Sequence, residues 1–389
     1  MDVTLNPYNP GSGMAPPLLA GRDADIAAFA TIIARTKRSR PARSLVFSGL
    51  RGVGKTVLLN RLRGQAEAHG WMTVQFEARP GTAGAMAARR ALVQGLQRGS
   101  LAFRAKRSAA AAASMLATVS SFSVSLGVEG ISMGVERDAS RASSGSLELD
   151  LHDVVEDICS GIRGEGIGLG IFIDEMQDLD DELLQALIVA QHHANQRELP
   201  LFVVGTGLPS LPARLAASRS YAERLFEYRS IGRLAREDAR ASLSEPARQE
   251  DMSYEESALE LMLDESGCYP YFLQEFGSAL WEIAEESPFS PEAAKAAAIA
   301  GKARLDAGFF PSRWDRATPA EREYLMAMAE DAEGPSLSSV VADRLGKKIQ
   351  SLGPVRAGLI SKGLIYSPER GQVAFTVPGM AEYILRMSD

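Results

Sequence analysis

Cysteine and histidine are scarce in this chain. Two cysteines in 389 residues, Cys159 and Cys268, cannot build a disulfide framework or a four-thiolate zinc site. The four histidines include the adjacent pair His192 and His193 but no His-Glu-x-x-His pattern, which removes the common zinc-hydrolase reading. No run of 18 apolar residues occurs, so neither a membrane span nor a membrane partner is expected. The opening MDVTLNPYNPGSG has no basic stretch followed by an apolar one, so no secretory leader is read and a cytoplasmic location is expected.

The rest of the composition is that of a globular protein, with 46% hydrophobic and 23% charged residues. The length exceeds what one hydrophobic core supports, and two or three domains are expected. The formal charge is −7, from 42 Lys and Arg against 49 Asp and Glu, but it is unevenly spread. Residues 1–110 hold 17 of the cations and 5 of the anions, leaving 25 and 44 for the remainder. A basic N-terminal part suits a phosphate chain or an acidic partner; solvated arginines around a phosphate-binding domain give the same count.

Residues 1–18, rich in Pro and Gly, read as an extended lead-in without a core of its own. Strand and helix patterns then alternate across 19–234. Strands are expected at Ser44–Ser48, Trp71–Ala78, Ile167–Asp174 and Leu201–Thr206, with a fifth at Tyr228–Ile231. Continuous apolar runs separated by helix-length segments give an α/β fold with a parallel sheet covered on both faces. The interval 107–150 breaks the rhythm. There Phe122, Val124, Leu126 and Val128, then Ile131, Met133 and Val135, alternate about a Glu129-Gly130 turn, which predicts an inserted β-hairpin. Residues 235–308 read as an acidic helical subdomain. Residues 309–389 read as three helices, the first opened by a Thr318–Glu321 capping box, followed by two strands about Gly371. That is the winged helix-turn-helix plan.

Gly49-Leu50-Arg51-Gly52-Val53-Gly54-Lys55-Thr56 matches G-x-x-x-x-G-K-[ST] between an apolar strand and a helix. Such a loop wraps phosphates with its N–H groups, and the following helix N-terminus, from Val57 onward, adds positive potential. Lys55 is expected on the β- and γ-phosphates of ATP and the Thr56 hydroxyl on Mg²⁺. Asp174, ending the third strand, would hold the metal, and Glu175 would polarise the attacking water. Gln177 and Asp178 are further polar candidates, with helix capping the expected role of Asp178. Thr206 ends the fourth strand, within reach of the γ-phosphate or the water, or else serves as a turn residue in Gly-Thr-Gly. Arg224 suits a neighbouring subunit's γ-phosphate, or else is a solvated surface-helix arginine, with Arg229 and Arg233 as rival candidates.

These motifs resemble the AAA+ ATPases, in the branch that joins origin-recognition-type initiators with the STAND signalling ATPases. AGRDADI (Ala20–Ile26) is similar to the family's box before the phosphate loop, which implies Gly21 and Arg22 near the base. GCYPYFLQ (Gly267–Gln274) is similar to its G-x-P motif with one extra residue, which implies Pro270 and Tyr271 over the nucleotide. Two departures stand out. The matching lid segment, CYPYFLQE, carries no arginine, whereas initiators usually place one there, and a slow ATPase is expected. The 107–150 segment also replaces the helical insertion of initiators.

The third helix of the C-terminal plan and its approach carry Lys347, Lys348, Gln350, Ser351, Arg356 and Lys362, and the wing tip carries Arg370. These are the expected contacts to double-stranded DNA. Yet residues 311–389 hold ten cations and ten anions, and winged helices also dock proteins. The sequence therefore reads as an ATP- and Mg²⁺-dependent switch, assembling as a homo-oligomer or with a protein partner and binding DNA. The alternative is a STAND-like signalling or defence scaffold whose winged helix docks protein.

Overall fold

Strands that are apolar on both faces need helices on both sides, and the chain supplies them. The computed structural model describes residues 2–11, 13–106, 109–127, 141–332 and 334–388. Its main sheet contains β1 (Ser44–Ser48), β2 (Met72–Glu77), β3 (Leu169–Asp174), β4 (Leu201–Gly207) and β5 (Phe226–Ser230). All pairs are parallel, in the order β2-β3-β4-β1-β5. Every residue of β1, β3 and β4 is buried, which explains their unbroken apolar runs. The fifth strand starts two residues earlier than the sequence suggests; Ile231 N continues its ladder by donating to Ser48 O at 2.7 Å. Because β4 lies between β3 and β1, the carboxyl ends of all three adjoin.

The surrounding helices are α1 (Asp23–Thr36), α2 (Lys55–Ala68), α3 (Gly81–Lys106), α4 (Ala109–Ser125), α5 (Leu147–Gly161), α6 (Asp181–Gln196), α7 (Leu211–Ser218) and α8 (Ala222–Leu225). Helix α2 packs on β2, β3 and β4, and α3 packs on β2. A helical layer then runs from α3 through α4 and α5 to α6.

The first arm of the expected hairpin is instead the end of α4. Met115, Leu116, Val119 and Phe122 are all buried, a spacing of three and four, whereas Val124 is 51% exposed. The alternation of Phe122, Val124 and Leu126 is thus a short coincidence on a helix whose packing face was set upstream. The helix is fixed from the side by Thr118, whose hydroxyl donates to Asp157 Oδ2 at 2.5 Å, and by Ser125, which donates to buried Asp150. Val128, Ile131, Met133 and Val135 lie outside the described residues.

Beyond β5 come four helices, α9 (Arg236–Gln249), α10 (Glu256–Ser266), α11 (Pro270–Ile283) and α12 (Pro291–Arg304). The N-terminal residues lie across this bundle and share its core. Trp281 Nε1 donates to Asp2 O at 2.9 Å, Asn6 Nδ2 to Ser278 Oγ at 3.0 Å, and Tyr8 OH to Leu243 O at 2.6 Å. A π-helical stretch at Leu305–Phe309 and α13 (Pro311–Trp314) lead into the C-terminal module.

That module contains α14 (Pro319–Ala329), β6 (Ser336–Leu337), α15 (Ser338–Arg344), α16 (Gly353–Ser361), β7 (Ile365–Tyr366), β8 (Gln372–Phe375) and α17 (Met380–Ser388). The Thr318–Glu321 capping box forms as the sequence suggests. The strands make an antiparallel sheet in the order β6-β8-β7. The module sits on the phosphate-loop motif: Arg51 N donates to Thr376 O at 3.0 Å.

Candidate active site

Residues 49–54 form a loop between β1 and α2 because its glycines fill places closed to other residues. Gly54 has φ +90°, and a Cβ added there would meet nothing within 4 Å, so the backbone faces open space. At Gly49 the constraint is contact: a Cβ would lie 2.0 Å from Ile231 O. Lys55 follows at the first position of α2, where free N–H groups favour an anion. It is only 6% exposed, and Nζ donates to Gly49 O at 3.0 Å and Leu50 O at 2.8 Å. Burial pushes its ammonium down to about 8, against the opposing pull of Glu175 and Asp174. A cation in that state gains from an anion in the open space beside it.

Asp174 ends β3 and is the meeting point of the site. Thr56 Oγ1 donates to its Oδ2 at 2.6 Å, while Oδ1 accepts from the Thr206 hydroxyl and from Glu175 N at 3.0 Å. Thr206 is fully buried at the end of β4, so its hydroxyl points at the carboxylate and not at solvent. Hydroxyl and carboxylate oxygens are the donor set of a hard cation such as Mg²⁺, and Thr56 and Asp174 bring one of each together here.

Glu175 departs from the strand with φ 49°, an uncommon left-handed conformation for a side-chain-bearing residue. The turn carries its carboxylate out of the sheet. There Oε1 accepts from Arg51 Nη1 at 2.9 Å and Oε2 from Gln177 Nε2 at 2.7 Å. Gln177 is held in turn by Leu208 N, which donates to its Oε1 at 3.0 Å. Asp178 does not cap the next helix; Asp180 does, accepting from Leu183 N at 3.1 Å. Asp178 lies in the turn before it, and burial with the nearby Glu175 charge pushes its carboxyl up to about 6.

A cavity of about 550 Å³ opens beside the loop. Residues Arg51 to Val57 line it, as do Arg22, Glu175, Pro270 and Tyr271. Arg22 is a brace behind the loop: Nη2 donates to Val53 O at 3.1 Å and Gly232 O at 2.8 Å. Gly21 stands just before it. Tyr271 N donates to Gly52 O at 3.2 Å, so the start of α11 is tied directly to the loop.

Two groups of lining residues carry no motif in the sequence. One is the N-terminal stretch with Gly13, Met14 and Leu19; the other is Ser312 and Arg313, some 260 residues beyond the loop. The role of Arg51 is also invisible in the pattern, since it fills a position that the motif leaves unspecified. Arg224 is exposed on α8 and does not line the cavity. Its rival Arg229 is engaged, with Nε 2.5 Å from Asp25 Oδ1, whereas Arg233 is exposed and donates to Gly267 O at 3.2 Å. Away from the cavity, His152, Asp153 and Glu156 form a group of metal-binding types, but Arg141 and Arg197 already pair with its carboxylates.

Residues 18–204 match the AAA ATPase domain family. The core has the AAA+ P-loop ATPase fold. Residues 307–384 match a family described as a domain of unknown function (DUF8462). Among solved structures, the chain is similar over 94% of its length to 96% of the Walker-type ATPase PABY2304 of Pyrococcus abyssi, with TM-score 0.56 and 15% identity. It is similar over 97% of its length to 97% of the ORC2 protein of Aeropyrum pernix in its ADP form, with TM-score 0.55 and 13% identity. Identities this low make the likeness one of fold. No curated protein matches the chain. Among the described residues, no helix is long and apolar enough to cross a membrane.

The AAA+ core does not by itself assign the C-terminal cations. Lys347 Nζ lies 3.0 Å from Glu323, and Lys362 Nζ lies 2.5 Å from Glu321, the buried capping-box carboxylate. Arg356 Nη2 donates to Ser367 Oγ at 2.9 Å, and Ser351 Oγ to Lys348 O at 2.7 Å. Lys348, Gln350 and Arg370 are exposed.

Proposed function

We propose that the protein is an ATP-binding and ATP-hydrolysing switch in which the phosphate loop controls the placement of the C-terminal module, and that this module binds double-stranded DNA. The hydrogen bond from Arg51 N to Thr376 O carries the proposal, because it joins the ligand-binding loop to the end of β8 without an intermediary.

In this reading the 51–55 amides and Lys55 take the triphosphate, Thr56 and Asp174 hold Mg²⁺, and the α9–α12 bundle serves as the lid through Pro270 and Tyr271. Bound Mg²⁺ supplies neutralisation of phosphate charge. Glu175 accepts the proton of the attacking water, and Thr206 keeps Asp174 oriented. Arg51 and Gln177 occupy both oxygens of Glu175, which holds the base away from water until nucleotide draws the Arg51 guanidinium to itself. Arg224, exposed, is available to a neighbouring subunit. The C-terminal module is read as a winged helix, with Lys348, Gln350, Ser351 and Arg370 facing DNA, and Lys347, Arg356 and Lys362 contributing once their present partners release them.

One observation favours a second reading, in which the module docks protein in a STAND-like scaffold. Among the described residues of the module, Arg344, Lys347, Lys362 and Arg386 are all paired with carboxylates, leaving a surface close to neutral. Gel-shift and ATPase assays separate the readings. The first expects DNA affinity that rises with ATP and falls steeply with salt. ATP-dependent assembly with no shift of any duplex, with or without ATP, selects the second.

A further inference from the structure

We propose that Arg313 reads the outermost phosphate of the bound nucleotide, so that the segment joining the bundle to the C-terminal module distinguishes ATP from ADP. The inference rests on the nucleotide reading above and adds a residue that no motif marks.

The bundle helix nearest the loop brings no cation to the cavity. From α11 the lining residues are Pro270, Tyr271, Gln274 and Glu275, the last a carboxylate. A triphosphate needs positive charge, and in the empty protein the other arginines of the cavity already have partners, of which only the Arg51–Glu175 pair opens to nucleotide in the reading above. Arg22 braces backbone carbonyls, Arg51 pairs with Glu175, and Arg304 pairs with Glu282 at 2.6 Å.

Arg313 is the exception. Among the described residues it has no ion-pair partner, and its Nε is buried without a hydrogen-bond partner. One terminal nitrogen, Nη1, donates to Phe309 O. The guanidinium lies over the Phe309 ring at 4.0 Å, and that ring stacks on Tyr271 at 4.7 Å. Tyr271 N donates to Gly52 O, so two stacked rings in series fix the guanidinium relative to the loop. Burial and the like charges of Arg51 and Arg316 push Arg313 down to about 10. An unpaired cation crowded by cations at the wall of an open cavity is stabilised by an anion there.

Placement gives the residue a second consequence. Pro311 fixes the first turn of α13 behind Phe310, and Phe310 stacks on Tyr383 of α17 at 5.1 Å. A phosphate that pulls on Arg313 therefore pulls on a segment whose next aromatic is packed into the C-terminal module.

The test is titration calorimetry of the full chain with Mg-ATP and with Mg-ADP, for wild type, Arg313→Gln and Arg313→Lys, with thermal unfolding of each. Glutamine keeps length without charge; its expected cost is about 10- to 100-fold in ATP affinity, with ADP affinity changed less than about threefold. Lysine, a point charge without the fork, is expected to lose less, and it carries the test if the glutamine variant fails to fold. An ATP-to-ADP affinity ratio equal to that of wild type in both variants overturns the proposal and leaves Arg313 as a support for Phe309. Wild type that binds neither nucleotide instead defeats the underlying nucleotide reading.

Discussion

The phosphate loop and the C-terminal module both collect polar side chains, but they spend them differently. Around the loop, two hydroxyls and an amide converge on Asp174, and Lys55 is buried beside open space. In the module, basic side chains are largely matched to the module's own carboxylates. A site built for a ligand leaves charge under-compensated and geometry constrained; a folded surface satisfies itself. The contrast separates a function that the structure prepares from one that needs a further trigger.

The sharpest way to break this contrast is at Glu175. Glu175→Gln is expected to keep ATP affinity and lower turnover by about 10²- to 10⁴-fold, measured as phosphate release. Turnover close to wild type would make the carboxylate as dispensable as a surface ion pair. The second largest effect concerns pH. Because the Lys55 ammonium of the empty protein sits at about 8, and a bound phosphate raises it, ATP affinity should be flat below pH 8. It should then fall by about tenfold per unit above that value. The same shift has the opposite sign for stability: the unfolded chain holds the proton more tightly, so the empty protein gains stability as pH rises from 8 toward 10.5. Denaturant titrations of Lys55→Met should lack that gain.

Smaller changes test the edges of each region. Thr206→Val removes one hydroxyl from Asp174 at nearly constant shape and should weaken Mg²⁺-dependent nucleotide binding by about 0.5–1.5 kcal/mol. An unchanged magnesium requirement would leave Thr206 as a packing residue. In the module, Lys348→Ala and Arg370→Ala should each lower the slope of log affinity against log salt by about 1 in DNA binding. Lys362→Ala strands the buried Glu321 carboxylate and should lower the module's thermal stability as well. Equal effects of Lys348→Ala and Lys362→Ala on both readouts would erase the distinction between free and committed cations.

Much of the core was legible in sequence because its signals are steric and periodic. Gly54 adopts φ +90°, and β1, β3 and β4 are buried throughout and apolar in their middles, so motif and strands appear in the residue pattern itself. Asp174 and Thr206 were findable because they end such strands. The insertion misled because three alternating residues, Phe122, Val124 and Leu126, carry less information than the buried helical face from Met115 to Phe122. Asp178 misled for a related reason: the chain makes one more turn before Asp180 caps α6. Gln177 reads as a polar candidate and Arg51 as a loop residue, but the contacts of Arg51 and Gln177 and the placement of Arg313 run across 124, 31 and about 260 residues of chain, which no local spacing records.

The most direct measurement is calorimetric titration of the folded full-length chain with ATP in magnesium, alongside Lys55→Ala. Saturable uptake of one nucleotide per chain, weakened by about 2–3 kcal/mol or more in the variant, is the expected result. Absence of heat and of binding in the wild-type protein, or identical affinity after removal of the Lys55 ammonium, would contradict a triphosphate seat between residues 49–56 and the Asp174–Glu175 pair.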